Sequence, residues 1–359
     1  MSTEINEQQN YTDSYVVYSS YSEDPDYYDD TNGEVCSYEN LPFVNISISV
    51  LYCLIFITGS LGNAFVILVM VFKERRRRRL VDTFVINLAF ADLIFVFTLP
   101  FWAASASNNH QWIFGSEFCK ISSYIIAVNR YSSIFFLTCM SIDRYLAIVK
   151  LLDFKHIRTQ KYAMIISLVI WVSSLLLAIP AGYFKTLDQC REDKSSLFYR
   201  GFSLTAICLT FVLPVFIILF CYCSILVRLG EHYGHSQRTI QRRENSCKIV
   251  FTIVSAFILS WLPFNIFKTI DLYLQFHNVS LSCWTTVYRG LAIASCLAFV
   301  NSCVNPIIYA FLDRNFRRRT RLLSSYVFAG AGNRISSFGS GSTPTESSTG
   351  LKVHSPTPL

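Results

Sequence analysis

The first 72 residues of this 359-residue chain contain no lysine and no arginine. Charge is scarce elsewhere too: 15% of residues are charged, where a soluble domain carries about 25%. A water-soluble globule of this length would rarely hold so many long uncharged runs. The N-terminus lacks the short apolar core of a secretory signal peptide, so the first apolar helix is expected to serve as the membrane anchor signal. No His/Glu metal or catalytic pair stands within the apolar runs, no inverted repeat is visible, and no nucleotide-binding loop occurs. Those absences weigh against a membrane enzyme or a transporter. The basic residues cluster in short segments between apolar runs, which argues against a nucleic-acid partner and for membrane topology.

What is present is a series of apolar segments. A bilayer core takes roughly 20 residues of apolar helix. Seven segments qualify, at 46–72, 81–105, 117–149, 162–184, 200–228, 246–273 and 288–312. Backbone groups have no water partners in lipid, so each segment must be helical. Lys73 and Arg75 to Arg79 lie between the first two spans, and Lys150, Lys155, Arg158 and Lys161 between the third and fourth. Arg228, Arg238, Arg242 and Arg243 follow the fifth, and Arg314, Arg317, Arg318, Arg319 and Arg321 follow the last. The alternate loops at 106–116 and 274–287 carry neither Lys nor Arg; only 185–199 does, with Lys185, Arg191 and Lys194. The positive-inside rule then puts the N-terminus outside the cell and the C-terminus inside. The expected fold is an all-α membrane protein, a seven-transmembrane-helix bundle over 46–312. A disordered acidic tail at 1–45 precedes it. A short amphipathic helix at 313–323 and a disordered Ser/Thr-rich tail at 324–359 follow.

Polar residues inside these helices are informative, because an ionisable group in the membrane is costly and needs a partner. Span one holds Gly62-Asn63 and span two Leu88-Ala-Phe-Ala-Asp92. Span three has Cys119 near its start and Asp143-Arg144-Tyr145 at its end. Trp171 lies in span four, and Pro214 with Tyr222 in span five. Span six has Phe257 and Trp261-Leu-Pro263, and span seven Asn305-Pro306-Ile-Ile-Tyr309. In this order, across about 270 residues, the motifs resemble those of rhodopsin-like (class A) G-protein-coupled receptors. Thr98-Leu-Pro-Phe-Trp102, Trp112-Ile-Phe-Gly115 and Ser141 to Val149 resemble the peptide-receptor branch that holds chemokine, angiotensin and apelin receptors. Arg79 to Phe84, Val149 to Leu152, Phe220 to Cys223 and Leu297 to Cys303 resemble one small group within that branch.

The resemblance implies a plasma-membrane receptor for an extracellular peptide or chemokine-like small protein. It implies coupling to heterotrimeric G protein, the inhibitory class being suggested by branch. A non-signalling scavenger is the competing reading, against which the intact Asp143-Arg144-Tyr145 and Asn305-Pro306 motifs argue. The resemblance also implies a Cys119–Cys190 disulfide, and a second between Cys36 and Cys283 joining the N-terminal tail to the third outer loop. The other eight cysteines lie in or beside the spans and are expected to be small buried hydrophobes. Asn10, Asn45 and Asn278 begin glycosylation sequons; Asn45 is close to the bilayer, so Asn10 is the expected site.

Residues 11–38 hold seven tyrosines among acidic residues. Such a tail is either a solvated consequence of topology or a capture arm for a basic ligand, and its tyrosines resemble sulfation sites. The ligand pocket is expected between the outer ends of the spans. Ile126 stands where amine receptors need an aspartate, and Ser295 where chemokine receptors often carry an acid. Ile126, Asn129, Arg130 and Ser133 share one helical face. Arg130 costs roughly 2.5–3.5 kcal/mol in a membrane helix unless paired or hydrated. It is either ion-paired internally, with Asp92 or another acceptor, or a floor contact for a ligand carboxylate. Arg200, Lys268 and Arg289 lie near outer helix ends, where they could contact ligand or simply snorkel. Trp102, Tyr124 and Tyr288 are candidate pocket walls or core contacts.

Asp92 with Asn129, Ser133, Asn301, Ser302 and Asn305 resembles the family's sodium pocket, whose hard oxygens suit a small hard cation. Arg130 puts this in question, since a nearby guanidinium could replace the ion. Trp261 above Phe257, beside the proline at Pro263, resembles the family's rotamer and hinge switch. Arg144 is expected to pair with Asp143 at rest and to regroup with Tyr222 and Tyr309 on activation, opening a groove for the G-protein helix. No cysteine follows Leu323, so a palmitoyl anchor is not expected. Ser336, Ser337, Ser342, Thr343, Thr345, Ser347, Ser348 and Thr349 are candidate targets of receptor kinases, their phosphates serving arrestin. The basic inner segments are expected to meet anionic membrane lipid.

Overall fold

The computed structural model describes residues 42–71, 80–150, 159–185, 190, 192, 196–231, 237–277 and 285–338. All named elements are helices: α1 (Pro42–Val71), α2 (Leu80–Val96), α3 (Leu99–Ser107), α4 (Gly115–Ile148), α5 (Gln160–Tyr183), α6 (Leu197–Ile207), α7 (Leu213–Glu231), α8 (Gln237–Phe276), α9 (Thr285–Leu312) and α10 (Arg314–Phe338). Among the described residues seven helical stretches are long and apolar enough to cross a membrane. They begin and end within four residues of the segments read from the sequence, as expected where apolar length sets the element.

Span two is α2 and α3 together. Its helix breaks at Phe97-Thr98 because Pro100 has no N–H to give to the preceding turn, and Thr98 Oγ1 donates instead to Phe95 O at 2.8 Å. Span five is α6 and α7, joined by a π-helical turn at Cys208–Val212 just before Pro214. Pro180, Pro263 and Pro306 sit inside α5, α8 and α9.

The bundle is apolar outside and polar within, as lipid demands. Leu168, Phe216 and Leu259 are more than 60% exposed. Asn63, Asp92, Ser133, Asn301 and Asn305 are buried. Span three is the central column and the least apolar of the seven, because its neighbours and not lipid surround it. Spans one, two and seven close up where there is no side chain in the way: a Cβ on Gly59 would stand 2.8 Å from Val96.

A disulfide joins Cys119 at the start of α4 to Cys190 in the segment between α5 and α6. It packs with Trp112, against which Trp102 and Phe114 lie at 5.0 and 5.4 Å. Cys36, Cys283, Asn10, Asn278 and the tail beyond residue 338 lie outside the described residues. Asn45 is 9% exposed and donates to Asn109 Oδ1 at 3.3 Å, which commits the sequon amide inside the bundle. The helix read as 313–323 runs on to Phe338. Ser and Gly lower its propensity there, and composition alone suggested a coil from residue 324.

Candidate functional site

A cavity of about 240 Å³ opens between the spans at the disulfide end. Its floor is Arg130 and Trp261, and its rim includes Lys185, Glu192 and Lys268. The disulfide delivers Glu192: two residues past Cys190, the chain turns back as a bridge opposite Lys185. Glu192 forms a hydrogen-bonded ion pair with Lys268 of α8. Burial pushes the Glu192 carboxyl up, but Lys268 and Lys185 outweigh burial and hold it well below the usual carboxylate range. Burial also lowers the Lys185 ammonium, against the pull of Glu192.

Trp102, Ile126, Arg130 and Lys268 line this cavity. Four other candidate residues lie off it. Tyr124 donates to Leu175 O at 3.0 Å between α4 and α5. Arg200 donates to Gln275 O at 2.9 Å and lies 5.4 Å from the Phe276 ring, a snorkelling cation held at a helix end. Tyr288 and Arg289 stand on α9 outside the lining. Arg130 does not pair with Asp92. Its Nη2 donates to Asn265 Oδ1 at 2.9 Å, and its guanidinium lies 5.3 Å from the Trp261 ring and 5.1 Å from Phe264. Asp92 accepts from three neutral donors instead.

Those donors are Asn129 Nδ2 at 2.9 Å and Ser302 Oγ at 2.8 Å on Asp92 Oδ1, and Asn305 Nδ2 at 3.0 Å on Oδ2. A carboxylate has about four lone-pair sites, so Oδ2 keeps one to spare. Ser133 Oγ, Asn301 Oδ1 and Asn305 Oδ1 are buried with no hydrogen-bond partner. One carboxylate and three orphaned neutral oxygens fit a small hard monovalent cation. Among the described residues no group of three His, Cys, Asp or Glu offers a transition-metal site.

Trp261, on the cavity floor, stacks on Phe257 at 5.9 Å. At the far end Arg144 Nη2 lies 3.1 Å from Asp143 Oδ2. Tyr222 packs edge-on against Phe251 at 5.1 Å, and the Tyr309 hydroxyl is buried without a hydrogen-bond partner. The cleft beside Arg144, Met140, Ile253 and Tyr309 holds about 30 Å³. A helix some 10 Å across has no entry there in this arrangement. Tyr145 packs against Phe220 at 5.8 Å.

Sequence reasoning missed Asn265, Glu192 and the Asp82–Arg319 contact. Arg319 of α10 donates to Asp82 Oδ2 at 2.7 Å and to Met70 Sδ at 3.0 Å, pinning α10 to the start of α2. A lone acid in a basic inner segment was the available signal for Asp82. Glu192's signal was its place beside Cys190; Asn265 carried none.

Residues 62–309 match the family model described as 7 transmembrane receptor (rhodopsin family). Apelin receptor A of Danio rerio is 39% identical over 320 residues, covering 83% of this chain and 88% of that receptor. G-protein coupled receptor 15 of Mus musculus is 36% identical over 302 residues, covering 82% and 84%. Probable G-protein coupled receptor 25 of Mus musculus is 38% identical over 298 residues, covering 80% and 81%.

Proposed function

The chain belongs to the rhodopsin family of seven-transmembrane receptors, and from that premise we propose that it senses an extracellular peptide or chemokine-like protein and activates inhibitory-class heterotrimeric G protein. It is a multi-pass membrane receptor and not an enzyme. The charge asymmetry of its loops supports a plasma-membrane orientation with the disulfide end outside and α10 inside.

The observation that carries the reading is that a ligand-sized cavity and a closed inner cleft share spans three and six. Trp261 floors the cavity, and Arg144 and Ile253 line the cleft. A cavity of about 240 Å³ admits the end or loop of a protein ligand, never its folded body. The rest of such a ligand would meet the acidic tail at 1–41, which lies outside the described residues. Ligand contact shifts a two-state equilibrium only through contacts that differ between the states. Here the differential contacts are at Trp261 and the proline turn of α8. The inner change exchanges Asp143 for the partner's helix as the neighbour of Arg144, with Tyr222 and Tyr309 regrouping around it.

Sodium is the proposed resting-state ion, held by Asp92 with the oxygens of Ser133, Asn301 and Asn305 and supported by Asn129. It supplies the charge that offsets a carboxylate in a low-dielectric interior. Receptor kinases and arrestin are proposed partners of the Ser/Thr-rich tail, and anionic lipid of the Arg-rich face of α10. The relatives' printed names place apelin among the ligands to try first.

The test is nucleotide exchange on inhibitory G protein in membranes bearing the receptor, with apelin, other basic peptides and chemokines as the panel. The proposal expects a responder whose effect Arg144→Ala removes while binding persists. A binder that never drives exchange would instead establish a scavenger.

A further inference from the structure

Arg130 is the one cation of the cavity floor. A guanidinium carries five N–H donors. Among the described residues Arg130 makes one hydrogen bond, to the neutral amide of Asn265, and pairs with no carboxylate. The nearby acids are committed elsewhere, Asp92 to Asn129, Ser302 and Asn305, and Glu192 to Lys268. Among the described residues Arg130, Lys185 and Lys268 share the lining with one anion, Glu192. Among the described residues the lining is therefore short of two negative charges, and Arg130 is a cation that pairs with no carboxylate. Aromatic rings surround the guanidinium, with Trp261, Phe264 and Tyr131 at 5.3, 5.1 and 5.7 Å.

The same contacts bear on span six. Asn265 accepts from Arg130 and passes its own Nδ2 to Trp261 O at 2.8 Å. That carbonyl lies in the turn that Pro263 weakens by lacking an N–H. Arg130 thus grips both the ring and, through Asn265, the backbone of Trp261.

We propose that Arg130 receives a free carboxylate at the end of the ligand, an apolar or aromatic chain terminus, and that the carboxylate takes the guanidinium from Asn265 and the Trp261 face. The exchange is favourable because a bidentate carboxylate is a stronger acceptor than one neutral amide oxygen, more so away from water. Anchor and trigger are then one residue: the charge that holds the ligand is the charge that releases α8. The identity of the ligand as a peptide rests on the reading above, whereas the carboxylate site stands on this geometry.

The probes are N-acetylphenylalanine, its uncharged amide, and 3-phenylpropionate. Each is titrated against purified full-length receptor in detergent while thermal stability is followed. The free acid is expected to half-saturate at a concentration at least about tenfold below the amide. Arg130→Gln erases that preference, Arg130→Lys retains part of it, and Arg200→Gln, off the cavity, keeps it. Asn265→Ala tightens the acid about threefold, since no internal acceptor is then given up. Equal binding of acid and amide, no binding of either, or a preference kept in Arg130→Gln overturns the site. Unchanged or weaker acid binding in Asn265→Ala overturns the exchange. Should Arg130→Gln not fold, the acid-to-amide ratio of the unaltered receptor still decides. Binding of 3-phenylpropionate as tightly as the acetylated acid upholds the anchor and assigns it to small acids, which removes the peptide reading while leaving the site.

Discussion

Glu192, two residues beyond a disulfide cysteine, ion-pairs with Lys268 and so ties the loop over the cavity to span six. Its carboxyl is held below the usual range in the fold. The pair therefore stabilises fully above the unfolded carboxylate value of about 4.3 and is lost as pH falls through the lower folded value. Glu192→Gln leaves Lys268 buried without its counter-ion. With the Glu192 side chain 29% exposed, a cost of about 1–3 kcal/mol is expected. Melting curves should show that deficit undiminished from pH 8 to about pH 5 and shrinking below about 4.3. A deficit that grows on acidification contradicts the pairing.

The Asp92 cluster predicts sodium dependence. Replacing sodium by choline should lower the melting temperature of the unaltered receptor. The loss corresponds to about 1 kcal/mol when sodium stands several-fold above its Kd. Asp92→Asn should make stability indifferent to the exchange. Equal sodium sensitivity in both proteins would show that the orphaned oxygens serve water alone.

Asp143 holds Arg144 at 3.1 Å beside a closed cleft. Asp143→Ala is expected to raise ligand-free nucleotide exchange about fivefold, as losing roughly 1 kcal/mol from the resting state requires. Arg144→Ala should abolish exchange without reducing surface expression. Unchanged basal exchange in Asp143→Ala would remove this pair from the switch.

The Cys119–Cys190 bond closes a segment of sequence separation 71 and positions Glu192. Cys190→Ser should cost about 2–4 kcal/mol and should release Lys268 from its partner. Glu192→Gln added to Cys190→Ser should then cost little more, a non-additivity that a double-mutant cycle measures.

The spans were legible because lipid imposes a length and a polarity on every crossing, and the motifs were legible because they recur at fixed places in the family. Asp92, Arg144, Trp261 and Cys119–Cys190 were all found that way. What escaped were partners chosen by three-dimensional reach. Arg130 was visible as an anomaly, but its acceptor was not, because Asn265 lies 135 residues away on another helix. Tyr124 and Arg200 looked like pocket residues by height in the membrane; rotation about the helix axis turned them elsewhere. The extension of α10 past Leu323 was hidden because propensity is a weak prior against composition.

The central claim is that the cavity and the inner cleft are two ends of one switch, closed in this arrangement. Spin labels at Lys248→Cys and Arg314→Cys, with exposed Cys53, Cys208 and Cys223 replaced by Ala, report the separation of the inner ends of α8 and α10 directly. The account predicts that Asp143→Ala, given a synthetic C-terminal peptide of an inhibitory Gα, lengthens that distance by about 5 Å or more, room for a helix to enter, and that Arg144→Ala prevents it. A distance unmoved by the peptide would contradict the account.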